Sequence, residues 1–452
     1  MKKHISRRDF LKLAGGAAVI AAGVGVLPPF VRKALAPDEV VEAQTPAPDL
    51  YWAGTDGWIY LPPDPPVGFY FPDDYAPAPF NTYIFGFRNV TGLTTVQKNN
   101  QKNHAQHNAP LFWANQYDPA HPKDFRVQLT NLGLGQRPDL VDSHTLHWHG
   151  FRNVIPFFDG EPTGSISVPI GRDFTYVYRP RDPGTYMYHC HVEDVEHVHM
   201  GMTGPVFIRP LQNGNTALYP SGKYVYNDGD GSTGHDREFV MFMSEVWAEA
   251  HWCDSHIQLP DWSDYHADFS LLNGRVYPDT IAPNSPINAA TSINAHSVQR
   301  DANGELVAPV GYPQLQYQPL SSLITCKPGE RVLLRFINLG FREAAMTLAG
   351  IKMRIVGRDA TLMRGRDGTD TSYVTNTVLA SAGESFDAIF TAPAYTGGSG
   401  SSGHGYDTYM VYNRRLTQVS NLSAGGFGGQ ATEVRVYPSG VAAQQYPNDW
   451  GM

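Results

Sequence analysis

Short runs of alternating apolar and polar residues, each cut off by Gly, Pro or Asp, constrain this chain more than any other feature. "DFRVQLTNLG" (Asp124 to Gly133), "DFTYVYRP", "TGPVFIRP", "EFVMFMSEVW", "RVLLRFINLG" and "SFDAIFTAP" all share this pattern. A period of two places successive side chains on opposite faces, which suits half-buried β-strands and does not suit helices. Clear helical periodicity is rare, and 44 Gly with 35 Pro supply the turns. The expectation is an all-β protein built of β-sandwiches.

The runs fall into two series. The first starts in an aromatic, Pro-rich stretch from Tyr51 to Asp118, where "NTYIFGFRNV" is the clear strand, and ends at "TGPVFIRP". "QNGNTALYPSGKYVYNDGDGSTGHD" (Gln212 to Asp236) then reads as a linker. Its Asp-Gly repeat lacks the closing acidic residue of a calcium loop and is expected to be a surface turn. The second series runs to "TEVRVYP", interrupted by a polar insertion around Ala282 to Tyr317 and by "TGGSGSSGHG". "FRVQLTNLG" echoes "VLLRFINLG", and "GTYMYHCH" echoes "DTYMVYNRR", so the halves read as an internal repeat. The expected domains are 51–211 and 237–438, with a linker over 212–236 and a tail over 439–452.

At the N-terminus, "SRRDFLK" precedes the apolar run "LAGGAAVIAAGVGVL". Twin arginines before a small-residue run read as a Tat export signal over residues 1–43, with cleavage after Ala43 preferred to Ala36. The mature chain is then expected in the periplasm or outside the cell, with no membrane span. A net charge of -9 without a basic stripe argues against nucleic acid as a partner. Of three cysteines, Cys253 and Cys326 are free to pair in an oxidising compartment, which leaves Cys190 single.

The chemistry concentrates in "HTLHWHG" and "YHCHVEDVEHVHMGM". By period two, His147 and His149 share one face of a strand and His144 takes the other. In "YHCHV", His189 and His191 share a face and Cys190 takes the opposite one. If the two strands are neighbours, His144 meets Cys190, while His147, His149, His189 and His191 gather on the reverse side. A thiolate, two imidazoles and a weak thioether form the ligand set of a type 1 copper site. His197 and Met202 are favoured for the open places, with His199 and Met200 as competitors. The all-imidazole set suits copper that binds oxygen species or small anions. The conjunction is far more specific than any lone histidine, which is usually structural. His104, His107, His251, His256 and His266 are read in that structural way. Asp159 is a candidate proton relay, and Glu193, Asp194 and Glu196 read as a solvated loop.

"HTLHWHGF", "DGEPTGS", "GTYMYHCHV" and "HVHMGMTGPVFIRP" resemble the copper-binding motifs of multicopper oxidases and their two-domain cupredoxin relatives, including copper nitrite reductases. The resemblance covers most of the chain from Asn81 to Pro438. It implies two Greek-key cupredoxin domains and a homotrimer with copper at subunit interfaces. It also implies type 1 ligands at His144, Cys190, His197 and Met202, and type 2/type 3 ligands at His147, His149, His189 and His191. Cys190, with His189 and His191, would be the catalytic link.

The second domain departs from the family pattern. Ala344, Thr347 and Ala349 stand where ligands are expected, and Tyr412, Asn413 and Arg414 in "VYNRR" stand where the first domain has "YHCH". In nitrite reductases, moreover, the position of His147 is an aspartate. The leading expectation is an exported oxidoreductase that takes single electrons from a small reducing substrate or redox protein and passes them to oxygen. A nitrite-reductase-like enzyme with one type 2 copper is the second reading. A type 1 electron carrier or copper-binding protein without catalysis is the third.

Overall fold

The computed structural model describes residues 46–63, 67–397, 404–421 and 426–440. The expected export signal lies outside the described residues, as do most of the Gly/Ser loop and the C-terminal tail. Both sandwiches belong to the unit from Pro48 onwards.

Eight strands make the first sandwich: β1 (Leu50–Ile59), β2 (Thr82–Asn89), β3 (Phe112–Asn115), β4 (Phe125–Asn131), β5 (His147–His149), β6 (Asp173–Tyr178), β7 (Gly184–His189) and β8 (Thr203–Arg209). One sheet has the order β2-β1-β4-β6 and the other β3-β8-β7-β5. Neighbours in space are seldom neighbours in sequence, so the chain crosses repeatedly between the sheets, as Greek-key connections require. Among the described residues, three short α-helices lie between strands: α1 (Thr95–Asn99), α2 (Asp194–Met200) and α3 (Ala248–Ser255).

The second sandwich repeats this plan. Arg331–Asn338 runs parallel to Arg237–Val246, as β4 runs parallel to β1. Asp407–Asn413 lies between Ala344–Leu348 and Ala431–Val436, as β7 lies between β5 and β8. The two sequence echoes are therefore equivalent strands. Thr347 opposes Tyr412 in the second sandwich where His147 opposes His189 in the first.

β1 does not read as a strand in the sequence, because Gly54, Asp56 and Gly57 look like turn residues. The structure gives another reason for the glycines. A Cβ at Gly57 would come within 2.8 Å of the Ala105 backbone nitrogen, and one at Gly54 within 2.7 Å of the His144 ring. They are there for close approach, not for turning.

α2 replaces the loop expected after Cys190. Glu193 enters it in the left-handed region (φ 46) and Gly201 leaves it at φ 116, so the helix is seven residues long. Asp194 and Glu196 occupy its first turn and His197 and His199 its last, the arrangement that the helix dipole favours. The 212–236 stretch is a set of turns. The Asp228 carboxylate accepts hydrogen bonds from the Gly231 and Thr233 backbone N–H groups and from Gln212, so its own chain uses it up. Cys253 and Cys326 are separate free thiols, one in α3 and one in the core of the second sandwich.

Candidate metal centre

β5 and β7 pair antiparallel, with His147 opposite His189 and Trp148 opposite Tyr188. That register carries the site. It stacks the imidazoles of the two strands on one face and turns Trp148 and Tyr188 into the core on the other. His144 sits just before β5, bridged to Val168, and Cys190 just after β7. Both are fully buried at the end of the core.

His144, Cys190 and His197 each offer a ligand atom within 4.8 Å of the other two. Cys190 Sγ lies 3.3 Å from His197 Nδ1. The ring of His144 is centred 5.3 Å from that of His197, and neither of its nitrogens has a hydrogen-bond partner. Two orphan nitrogens on a fully buried imidazole are costly unless something absent fills the place. Met202 completes the surroundings, since its Cε and the His144 ring crowd over the same spot above Gly54. His199 faces elsewhere: its Nε2 accepts the backbone N–H of Trp247, and its ring packs on His251.

The electrostatics of this set are those of a preformed thiolate. Burial alone would raise the Cys190 thiol, but His197 and His144 beside it hold it well below its ordinary value. Burial would likewise depress His197, yet the Cys190 thiolate and the Asp142 carboxylate push it up to about 10. Asp142 Oδ2 stands 3.6 Å from His197 Nε2 on the side away from the sulfur. The backbone N–H of Thr145 points at the sulfur from 3.4 Å, and its hydroxyl accepts the N–H of His191. Sequence reasoning misses Asp142, Thr145 and Gly54. Only the position of Asp142, two residues before His144, hints at a role.

On the reverse face, His147, His149 and His189 each bring a ring nitrogen within 4.8 Å of the other two. His191 stands beside them, with ring centres 5.1 Å from His147 and 5.4 Å from His189. The rings are oriented from behind. His147 Nδ1 donates to the Asp159 carbonyl at 2.7 Å, and His189 Nδ1 to the Cys190 carbonyl at 2.7 Å. Each bond leaves Nε2 with the acceptor lone pair, as for a metal-binding imidazole, and at His189 that nitrogen faces His149 Nδ1 at 3.4 Å. Asp159 thus acts mainly through its backbone, its carboxylate lying at 3.5 Å. Burial lowers the pKa of His147, His149 and His189, which favours the neutral, ligating form.

A cavity of about 290 Å³ opens on His149, His189 and His191. From the second sandwich it is lined by Leu339, Gly340, Phe341, Ala382 and Gly383, none of which carries a ligating side chain. Thr347 and Asn413 are engaged elsewhere, with Thr377 and with Gln418 and Gln430. None of the five histidines read as structural joins a candidate metal set among the described residues. His104 pairs with Glu305, His107 and His251 are buried, His256 stacks between Tyr75 and Trp252, and His266 lies near Asp268.

Residues 131–213 match the family model described as multicopper oxidase, a stretch that holds every candidate ligand. Over that stretch the chain resembles multicopper oxidases. The sequence is 26% identical over 230 residues to the multicopper oxidase MmcO of Mycobacterium tuberculosis, covering 49% of this chain and 37% of that protein. It is 28% identical over 238 residues to copper resistance protein A of Escherichia coli, covering 49% and 34%. The match thus spans about a third of these curated relatives. The blue copper oxidase of Nitrosomonas europaea shares the fold, with a TM-score of 0.54 at 19% identity over 85% of both chains. Multicopper oxidases are oxidoreductases with type 1 and type 2/3 copper. The multicopper-oxidase-like chain offers donors that fit such ions: one thiolate with two imidazoles on one face, imidazoles alone on the other.

Proposed function

We propose that this protein is an exported copper-dependent oxidoreductase that takes single electrons from a small reducing substrate or redox protein and delivers them to oxygen. One observation carries the reading. A buried thiolate shared by two imidazoles lies one peptide bond from His189 of a second imidazole set, with His191 beside that set on its other side. Copper bound to both sets would supply one-electron exchange at the sulfur and oxygen reduction at the imidazoles. In this reading His144, Cys190, His197 and Met202 are the type 1 ligands, and His147, His149, His189 and His191 the type 2/type 3 ligands.

The chain's own groups have defined tasks. Cys190 joins the sets, since its backbone continues directly into His189 and His191. The Asp142 carboxylate faces the outer nitrogen of His197 at 3.6 Å, while the carbonyls of Asp159 and Cys190 hold His147 and His189 in their tautomers. Leu339 and Phe341 give the cavity at the imidazole set an apolar wall. Half of a full cluster is present among the described residues, and the homotrimer that the resemblance implies would bring a second copy against the imidazole set. No helix among the described residues is long and apolar enough to cross a membrane.

A second reading, an electron carrier without catalysis, draws on the absence of ligating side chains in that lining. Copper content, visible spectrum and oxygen uptake with a phenol separate the two. Several coppers per chain with uptake support the oxidase. A single copper with an intense blue band and no uptake supports the carrier, and protein that stays colourless when loaded contradicts both.

A further inference from the structure

Two sandwiches of one plan in one chain provide an internal control. The main buried core of the second holds no Trp or Tyr among its described residues, although Tyr226 packs on Leu333, Val356 and Ile389 in a smaller cluster and donates to Asp387. That of the first holds Trp52, Trp58, Tyr83, Trp148, Tyr176, Tyr178, Tyr186 and Tyr188. The fold therefore does not demand oxidisable rings.

One of these rings differs from the rest in its hydrogen bond. The hydroxyls of Tyr176, Tyr178, Tyr186 and Tyr188 donate to backbone carbonyls, which cannot take a proton. Tyr83 donates instead to a carboxylate, Asp56 Oδ2, at 2.7 Å. That is the reach a base needs to accept a proton. Asp56 is itself held by the backbone N–H groups of Gly135 and Gln136. Removing an electron from a phenol makes it a strong acid, so a buried tyrosine can be oxidised at moderate potential only beside such an acceptor. Burial and then Asp56 hold the resting Tyr83 pKa far above its ordinary value, so it rests fully protonated.

The ring is also placed in a chain. Phe85 touches the His197 ring edge-on at 5.6 Å, Tyr83 touches Phe85 at 5.7 Å, and Trp58 lies 5.0 Å beyond Tyr83. His197, Phe85 and Tyr83 are 0% exposed, and Trp58, at 3%, is the member with any surface. A donor therefore cannot touch the His197 ring directly.

We infer that Tyr83, with Asp56 as its proton acceptor, is a one-electron relay between His197 and Trp58. The relay rests on the reading of His197 as a ligand of a redox-active metal. In the step, a one-electron oxidant at the His197 site takes an electron from Tyr83. The O–H bond breaks and its proton crosses to Asp56 Oδ2. A one-electron reductant in solution returns the electron through Trp58, the proton moves back, and the net change is donor oxidised and site reduced.

The test is made on the full copper-loaded chain, oxidised with hexachloroiridate(IV) and freeze-quenched for electron paramagnetic resonance. A tyrosyl radical is expected in the unmodified protein, lost in Tyr83→Phe and retained in Tyr178→Phe. Tyr83→Phe deletes one hydroxyl and leaves Asp56 Oδ2 its bond from Gln136, so the variant keeps its fold. In loaded protein reduced beforehand, the blue band is expected to rise as the radical decays, and more slowly in Tyr83→Phe. No radical, a radical unchanged by Tyr83→Phe, or a blue band that rises equally fast in both proteins overturns the relay. Absence of any blue band overturns the copper reading instead, while the radical's residence is still read from the same spectra.

Discussion

Cys190 and His197 stand seven positions apart, yet the sulfur of one lies 3.3 Å from Nδ1 of the other. The closure is made by α2, which turns the chain back over the end of β7. Met202 O then accepts the Cys190 N–H, and Met202 N donates to the His197 carbonyl. Replacing Cys190 by Ser preserves this hydrogen-bonded turn and removes the soft ligand. The expected result is a colourless protein with one copper fewer per chain, unchanged circular dichroism and no turnover. Retained blue absorption would remove Cys190 from the site.

Gly54 is the floor beneath His144 and Met202. A Cβ there would lie 2.7 Å from His144 Cδ2 and 3.3 Å from Met202 Cε. Gly54→Ala must push both side chains aside, at a cost of about 1–3 kcal/mol for overpacking. Thermal unfolding measures the destabilisation. The visible spectrum is expected to show a shifted or weakened blue band in the same variant.

Gly383 plays the corresponding part for the imidazole set. It adopts φ +81, and a Cβ would lie 3.1 Å from His149 Nε2. Gly383→Ala is expected to lower copper occupancy at the imidazoles and oxygen uptake while leaving the blue band intact. Loss of both sites together would show that the loop serves the whole fold and not this face.

Much of the arrangement is legible in the sequence, because period two dictates it. The sorting of His144 with Cys190, apart from His147, His149 and His189, needs only two paired strands. The strands carrying "FRVQLTN" and "RFIN" are equally plain. The features that sequence alone hides have a physical reason in each case. β1 is masked by glycines that exist for contact with His144 and Ala105. α2 is too short for a helical period to register. Asp142 and Gly383 reach the site from a loop and from the other sandwich, and no spacing in one sequence records that proximity.

Buried histidines away from the centre make the protein acid-labile. Burial holds His107 and His235 down to about 3, and His251 and His296 down to about 4. The unfolded chain binds protons at these groups near pH 6.5, whereas the folded chain does not until much lower pH. Stability is therefore full above about pH 6.5 and falls as pH drops towards 4, by about 1.4 kcal/mol per pH unit for each histidine. Urea unfolding of the metal-free protein at stepped pH measures the slope. His251→Gln is expected to flatten it by about one histidine's share, and an unchanged slope would contradict the assignment.

The central claim, that one sulfur-bearing set and one imidazole set hold copper on opposite faces of a strand pair, is tested most directly by X-ray diffraction at the copper edge. Crystals of the loaded protein are predicted to show an anomalous peak among His144, Cys190 and His197, with further density among His147, His149 and His189. Copper found elsewhere, with no peak beside Cys190, would contradict the account.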